Sequence, residues 1–119
     1  MIITVYTHPR CSTCRDAVSW LRAHKIAFAE ISILDTPPTK AELRAMLRIH
    51  GGEMRRLFNT SGMDYRALGL KDRLPELGEA EALALLSSNG MLVKRPFLLR
   101  GTTFGLLGFK PEAWAKALV

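Results

Sequence analysis

The order of apolar and polar positions predicts a strand at the very start of the chain. Ile2 to Tyr6 is a short apolar run rich in β-branched residues, the pattern of a buried strand. Thr7-His8-Pro9-Arg10 breaks it, and a helix is predicted to begin around Cys11 or Ser12. Cys14, Ala17, Val18 and Leu21 then fall at i, i+3, i+4 and i+7, which defines the buried face of that helix. Phe28 to Ile33 alternates in part, with Ala29, Ile31 and Ile33 set against Glu30 and Ser32, and reads as a second strand. Strand–helix–strand is the unit that makes a parallel pair through a right-handed crossover.

The middle of the chain reads as helical. Pro37-Pro38 blocks an early start, and Thr39-Lys40-Ala41-Glu42 has the form of a capping box. Leu43, Met46, Leu47 and His50 continue one face until Gly51-Gly52 stops it. Shorter helices are predicted over Glu53–Phe58 and Asp64–Leu68, and a longer one over Glu79–Ser88, closed by Gly90. A strand follows at Phe97–Arg100, then a turn at Gly101-Thr102 and an antiparallel return over Thr103–Leu107. Pro111 suits the first position of a last helix containing Trp114, Ala117 and Leu118. The sum is an α/β fold, β-α-β, a helical insert at about 39–90, then β-β-α, which is the thioredoxin-like arrangement with an inserted helical lobe.

A length of 119 residues suits one domain. Hydrophobic residues at 48% and charged residues at 24% are ordinary globular usage and argue against disorder. No apolar run approaches the roughly 20 residues that span a bilayer. The start Met1-Ile2-Ile3-Thr4-Val5 lacks the basic opening and long apolar stretch of a signal peptide. A cytoplasmic monomer without membrane contact is expected. The net charge of +6 suits acidic partners, anionic substrates or nucleic acid without choosing among them. No run of five basic residues occurs, so sequence-specific DNA binding is not expected.

Only two cysteines are present, and they stand three positions apart. A disulfide scaffold needs bridges spread along the chain, and a structural zinc site needs four ligands. His8, His24 and His50 are scattered and read as solvated surface side chains, so no metal is expected.

Cys11-Ser12-Thr13-Cys14 opening a helix has a chemical logic. A helix N-terminus presents unpaired N–H groups and about half a positive charge, which favours a thiolate. Arg10 and Arg15 flank the pair and act in the same sense. Lowering a thiol from a pKa of about 8.5 to about 6.5 raises its ionised fraction at neutral pH about 25-fold. Lost intrinsic nucleophilicity returns roughly 6- to 10-fold of this, so attack gains only about three-fold. The larger effect is a better leaving group and a favoured reduced form, which fits a protein that cycles or switches redox state. Cys11 at the helix start can reach solvent and fits the attacking role. Cys14, one turn in on the apolar face, fits the resolving one. Two inert, packed cysteines, or a coincidental half of a zinc ribbon, are the alternative. Arg95-Pro96 is a candidate for a cis peptide facing the cysteines, against an ordinary trans proline opening an edge strand. Arg95 could hold an oxyanion or the carboxylate of a thiol substrate, or simply lie on the surface.

Three stretches together resemble the ArsC/Spx family over essentially the whole chain. They are Tyr6 through Arg15, Leu57-Phe58-Asn59-Thr60-Ser61-Gly62 with Tyr65-Arg66, and Lys94-Arg95-Pro96 through Gly108-Phe109. The family contains glutathione-linked arsenate reductases, thiol reductases of the YffB type and the Spx regulators. The resemblance implies a thioredoxin-like core with a helical insert. It also implies one nucleophilic cysteine, matching Cys11, and three arginines about an oxyanion. Of these, Arg95 matches the arginine before the proline, Asn59 stands at the second position and Lys110 at the third. Substrate contacts are expected from Arg10, Arg15, Asn59, Pro96 and Lys110. Cys14 stands where the glutathione-dependent reductases tend to have serine, and the pair resembles the redox disulfide of Spx regulators. Those regulators bind the C-terminal domain of the α-subunit of RNA polymerase. Two functions therefore follow: a thiol reductase with glutathione or thioredoxin as reductant, or a polymerase-binding redox switch.

Overall fold

The computed structural model describes residues 2–119. Four strands form one sheet: β1 (Ile3–Thr7), β2 (Phe28–Ser32), β3 (Phe97–Arg100) and β4 (Phe104–Leu107), in the order β2-β1-β3-β4. β1 and β2 are parallel, with Ile3 opposite Phe28 and Thr7 opposite Ser32. Helix α1 (Ser12–Ala23) supplies the crossover between them. β3 lies antiparallel to both β1 and β4, with Tyr6 opposite Phe97 and Phe97 opposite Leu107.

The two-residue strand period sorts side chains to the two sheet faces. Ile3 and Val5 of β1 and Leu98 of β3 pack with Ala17 and Leu21 of α1 and with Trp114. Trp114 belongs to α6 (Pro111–Leu118), whose first residue is the proline that sequence places there. Tyr6, Phe97 and Leu99 point to the opposite face and join the larger core. That core is closed by four helices between β2 and β3: α2 (Lys40–Ile49), α3 (Met63–Ala67), α4 (Leu70–Arg73) and α5 (Glu79–Ser88). The sheet is thus sandwiched between α1 and α6 on one side and the helical lobe on the other, the thioredoxin-like arrangement with its insert.

Sequence signals account for most boundaries. Thr39 and Glu42 make the reciprocal capping box, with Thr39 Oγ1 accepting from Glu42 N–H at 3.2 Å and Glu42 Oε1 accepting from Thr39 N–H at 2.9 Å. Glu42 also accepts a bond from the Tyr6 hydroxyl at 2.7 Å, which ties α2 to β1. Gly105 in β4 lets α2 approach, because a Cβ there would stand 2.7 Å from the Met46 sulfur. The helix expected over Glu53–Phe58 is a 3-10 turn at Met54–Leu57. α4 and the 3-10 turns at Leu74–Glu76 and Gly90–Leu92 have no counterpart in the sequence reading. Each is too short to show an amphipathic period. No helix among the described residues is long and apolar enough to cross a membrane.

Candidate functional site

β1 ends at Thr7, and the loop His8-Pro9-Arg10 turns the chain into α1. The turn closes through Cys11 N–H donating to His8 C=O at 3.1 Å and Arg10 N–H donating to His8 Nδ1 at 2.9 Å. Cys11 is the N-cap, with extended backbone, and its sulfur accepts the backbone N–H of Cys14 at 3.2 Å. A thiol thus occupies the place usually taken by a serine or aspartate oxygen, facing the positive end of the helix. Cys11 is partly exposed, whereas Cys14 is buried with Ala17, Val18 and Leu21.

Both cysteines are free thiols. The redox disulfide expected from sequence is not formed in this structure: Cys11 Sγ instead accepts the backbone N–H of Cys14. Burial, the hydrogen bond to Cys11 and the charge on Cys11 push the Cys14 thiol up to about 12, against a His8 backbone hydrogen bond and Arg95, which pull it down.

Cys11 opens onto a cleft of about 500 Å³ whose other walls include Thr13, Asn59, Ser61, Lys94 and Arg95. The Arg95-Pro96 peptide is cis. β3 lies inside the sheet, so the alternative of a trans proline opening an edge strand is overturned. Pro96 is buried, and its carbonyl accepts Gly108 N–H at 2.9 Å. The Arg95 guanidinium donates to Met91 C=O at 3.4 Å. Asn59 reaches the cleft because Phe58 and Val93 form an isolated antiparallel bridge. Asn59 N–H donates to Leu92 C=O at 2.7 Å, and Lys94 N–H donates to Leu57 C=O at 2.8 Å. A segment of the helical lobe is in this way sewn to the chain leading into β3.

The other predicted contact residues separate. Arg10 is exposed beside His8, and its charge reaches that ring. Arg15 projects to the far side of α1, where it shares a cleft of about 320 Å³ with Cys14, Arg22 and Glu30. Lys110 lies in a neighbouring cleft with Arg55, Arg56 and Lys94. Arg15 and Lys110 are therefore not brought to the Cys11 cleft. Sequence reasoning assigned no role to Lys94, although it precedes Arg95 in the matched motif. It also placed His8 and His50 on the surface. His8 is buried, its carbonyl and its ring Nδ1 closing the turn that leads into Cys11, and His50 is half-buried at the end of α2. Burial first, then the charges of Arg95 and Arg10, hold the His8 imidazole below its ordinary pKa. Among the described residues, no three metal-ligating side chains come together.

A paired-thiol site at the first turn of α1, on a thioredoxin-like sheet, places the chain in the class of thioredoxin-fold proteins with Cys-x-x-Cys. Residues 6–117 match the ArsC family, and the chain belongs to it. It is 44% identical to the uncharacterised YusI protein of Bacillus subtilis over 119 aligned residues, 97% of this chain and 100% of that one. A global transcriptional regulator Spx of Streptococcus agalactiae is 31% identical, with 82% of this chain and 70% of that one covered. An arsenate reductase of Rhizobium meliloti is also 31% identical, with 83% and 69% covered. The fold is similar to the crystal structure of an ArsC family related protein from Bacteroides fragilis, at TM-score 0.89 and 42% identity, covering 98% of this chain and 97% of that one.

Proposed function

We propose that this protein is a thiol–disulfide oxidoreductase in which Cys11 is the nucleophile and Cys14 the resolving thiol. The observation that carries the reading is the division of labour at the start of α1. Cys11 faces the cleft and accepts the Cys14 N–H, while Cys14 stays protonated and buried one turn in.

The Cys11 thiolate attacks one sulfur of a substrate disulfide, RS–SR′. A Cys11–SR bond forms as R′S⁻ leaves. The Cys14 thiol gives its proton to solvent and attacks the Cys11 sulfur, expelling RS⁻ and leaving a Cys11–Cys14 disulfide. Substrate gains two electrons and the protein loses them. Two molecules of glutathione, or one reduced thioredoxin, return the pair to the dithiol. Mixed-disulfide formation removes the charge of Cys11, one of the causes that raise Cys14, so the resolving thiol ionises more readily when it is needed.

Disulfide exchange is favoured over reduction of an oxyanion such as arsenate by the shortage of guanidinium groups around Cys11. Among the described residues Arg95 is the single guanidinium in the cleft; Lys94 is the other cation there, Asn59 is neutral, and Lys110 is elsewhere. Neither Asn59 nor Lys110 can supply the two-pronged donor of an arginine. The test is turnover of a small neutral disulfide and of arsenate, each with glutathione and with a thioredoxin system. Disulfide turnover that disappears in Cys11→Ser is the expected result. A Cys11→Ser protein as active as wild type would remove the nucleophile assignment.

One finding favours a second reading. The chain is as similar to a Spx regulator as to an arsenate reductase, and its two cysteines match a redox-switch pair. In that reading the disulfide alters a surface that binds the C-terminal domain of the polymerase α-subunit. Absence of turnover, together with binding that depends on the oxidation state of the pair, would decide for it.

A further inference from the structure

The Cys11 cleft is one end of a longer surface. Lys94 is a wall of both this cleft and the next, about 380 Å³ in volume, which is edged by Arg55, Arg56 and Lys110. Arg55 is in turn a wall of a third cleft, about 210 Å³, formed by Met54, Tyr65, Leu74 and Pro75 with Lys71 at its side. From Cys11 outward the order is therefore sulfur and Arg95, then a cationic trough, then an apolar pocket with a cationic rim. None of these lysines and arginines is in an ion pair; the pair found among the described residues is Arg44–Glu79, away from this surface. Two carboxylates lie along it, Asp64 and Glu53, and Asp64 already accepts from Asn89 Nδ2 at 2.9 Å.

We propose that this surface is a docking track for an acidic polypeptide segment whose disulfide is presented to Cys11. The inference rests on the oxidoreductase reading and names its substrate class: a protein or peptide disulfide with Asp and Glu beside it. Unpaired cations along one path attract such a chain and speed its encounter. The apolar pocket at the far end takes an aliphatic side chain of the same segment, so the two ends define direction. A nucleic acid suits the surface less well. The rings along it, Phe58 and Tyr65, are 1% and 4% exposed and offer no face for stacking a base, and a nucleic acid brings no sulfur to Cys11.

The probes are two peptides of equal length, each with one cysteine capped as a mixed disulfide with mercaptoethanol. One is rich in Asp and Glu and the other in Ser and Asn, and hydroxyethyl disulfide is the small reference. The acidic peptide is expected to show the higher kcat/KM, with a steep loss as salt is raised. Arg55→Gln and Arg56→Gln, both at exposed side chains, each lower that value about two- to five-fold. They leave turnover of hydroxyethyl disulfide unchanged. Equal rates for the two peptides, with the small disulfide still turned over, would overturn the track and leave the thiol chemistry standing. If no disulfide is turned over, the thiol reading fails, and fluorescence anisotropy with a cysteine-free acidic peptide decides the track alone. Binding that weakens in both arginine variants supports it, whereas no binding, or tighter binding of a single-stranded oligonucleotide of equal charge, overturns it.

Discussion

Gly90 is a small residue on which the Arg95 and Asn59 side of the site depends. It is buried, and a Cβ added there would lie 1.9 Å from the backbone oxygen of Ile33 and 2.7 Å from its carbonyl carbon. Real Cβ atoms stay beyond 3.0 Å, so Gly90→Ala forces a separation of about 1 Å between two backbone segments in a packed interior. Neither side can yield by rotating a side chain. The cost is placed at the upper end of overpacking, about 3 kcal/mol, which lowers Tm by about 12 °C in a domain of this size. The shift also reaches the site. The Asn89 side chain caps Met91 N–H at 3.0 Å, Met91 C=O holds the Arg95 guanidinium, and the bridge between Phe58 and Val93 carries Asn59. Misplacing such groups by about 1 Å costs up to about 100-fold in kcat/KM. The assay is thermal unfolding by circular dichroism beside turnover of a small disulfide. Gly78→Ala is the control, since the nearest atom to its added Cβ is 3.8 Å away and its φ is −71°. A Gly90→Ala protein that melts and turns over like the Gly78→Ala control would refute the reasoning.

Three further outcomes are expected. Cys14→Ser leaves the first attack intact but removes the resolving thiol, so the Cys11 mixed disulfide accumulates and shows in intact mass as protein plus one substrate thiol. Stability of the reduced protein falls in alkali: the Cys14 thiol is raised on folding, so its contribution is full below the ordinary thiol range and is lost as pH rises towards about 12. Denaturant titrations across that range are expected to slope less in Cys14→Ala. Tyr6→Phe removes a 2.7 Å bond from a buried hydroxyl to Glu42 and is expected to cost about 1.5–3 kcal/mol, read as a lower urea midpoint.

Short-range patterns set out most of the elements. The i, i+3, i+4 spacing of Cys14, Ala17, Val18 and Leu21 marks the buried face of α1, and all four are buried. Thr39 with Glu42, Pro111 and the run Phe97–Arg100 mark boundaries that the structure keeps. The contrast between Cys11 and Cys14 was legible for the same reason, because position within one helical turn settles exposure and dipole alike. These features depend on neighbours within about four residues, and a sequence displays such neighbours directly.

Long-range packing decided the rest. Which side of α1 receives Arg15, and which cleft receives Lys110, depends on how the helical lobe meets the sheet. The bridge of Phe58 to Val93 and the seat of Gly90 against Ile33 make that meeting. No local period encodes either contact. His8 read as a surface residue because its type is polar and its neighbours break the strand, yet the turn into α1 buries its ring, whose Nδ1 accepts the Arg10 N–H. The chain itself therefore determined a paired thiol at the start of a helix on a thioredoxin-like sheet. Tertiary structure alone decided which cations face it, because side chains far apart in sequence become neighbours only when the two halves of the core close.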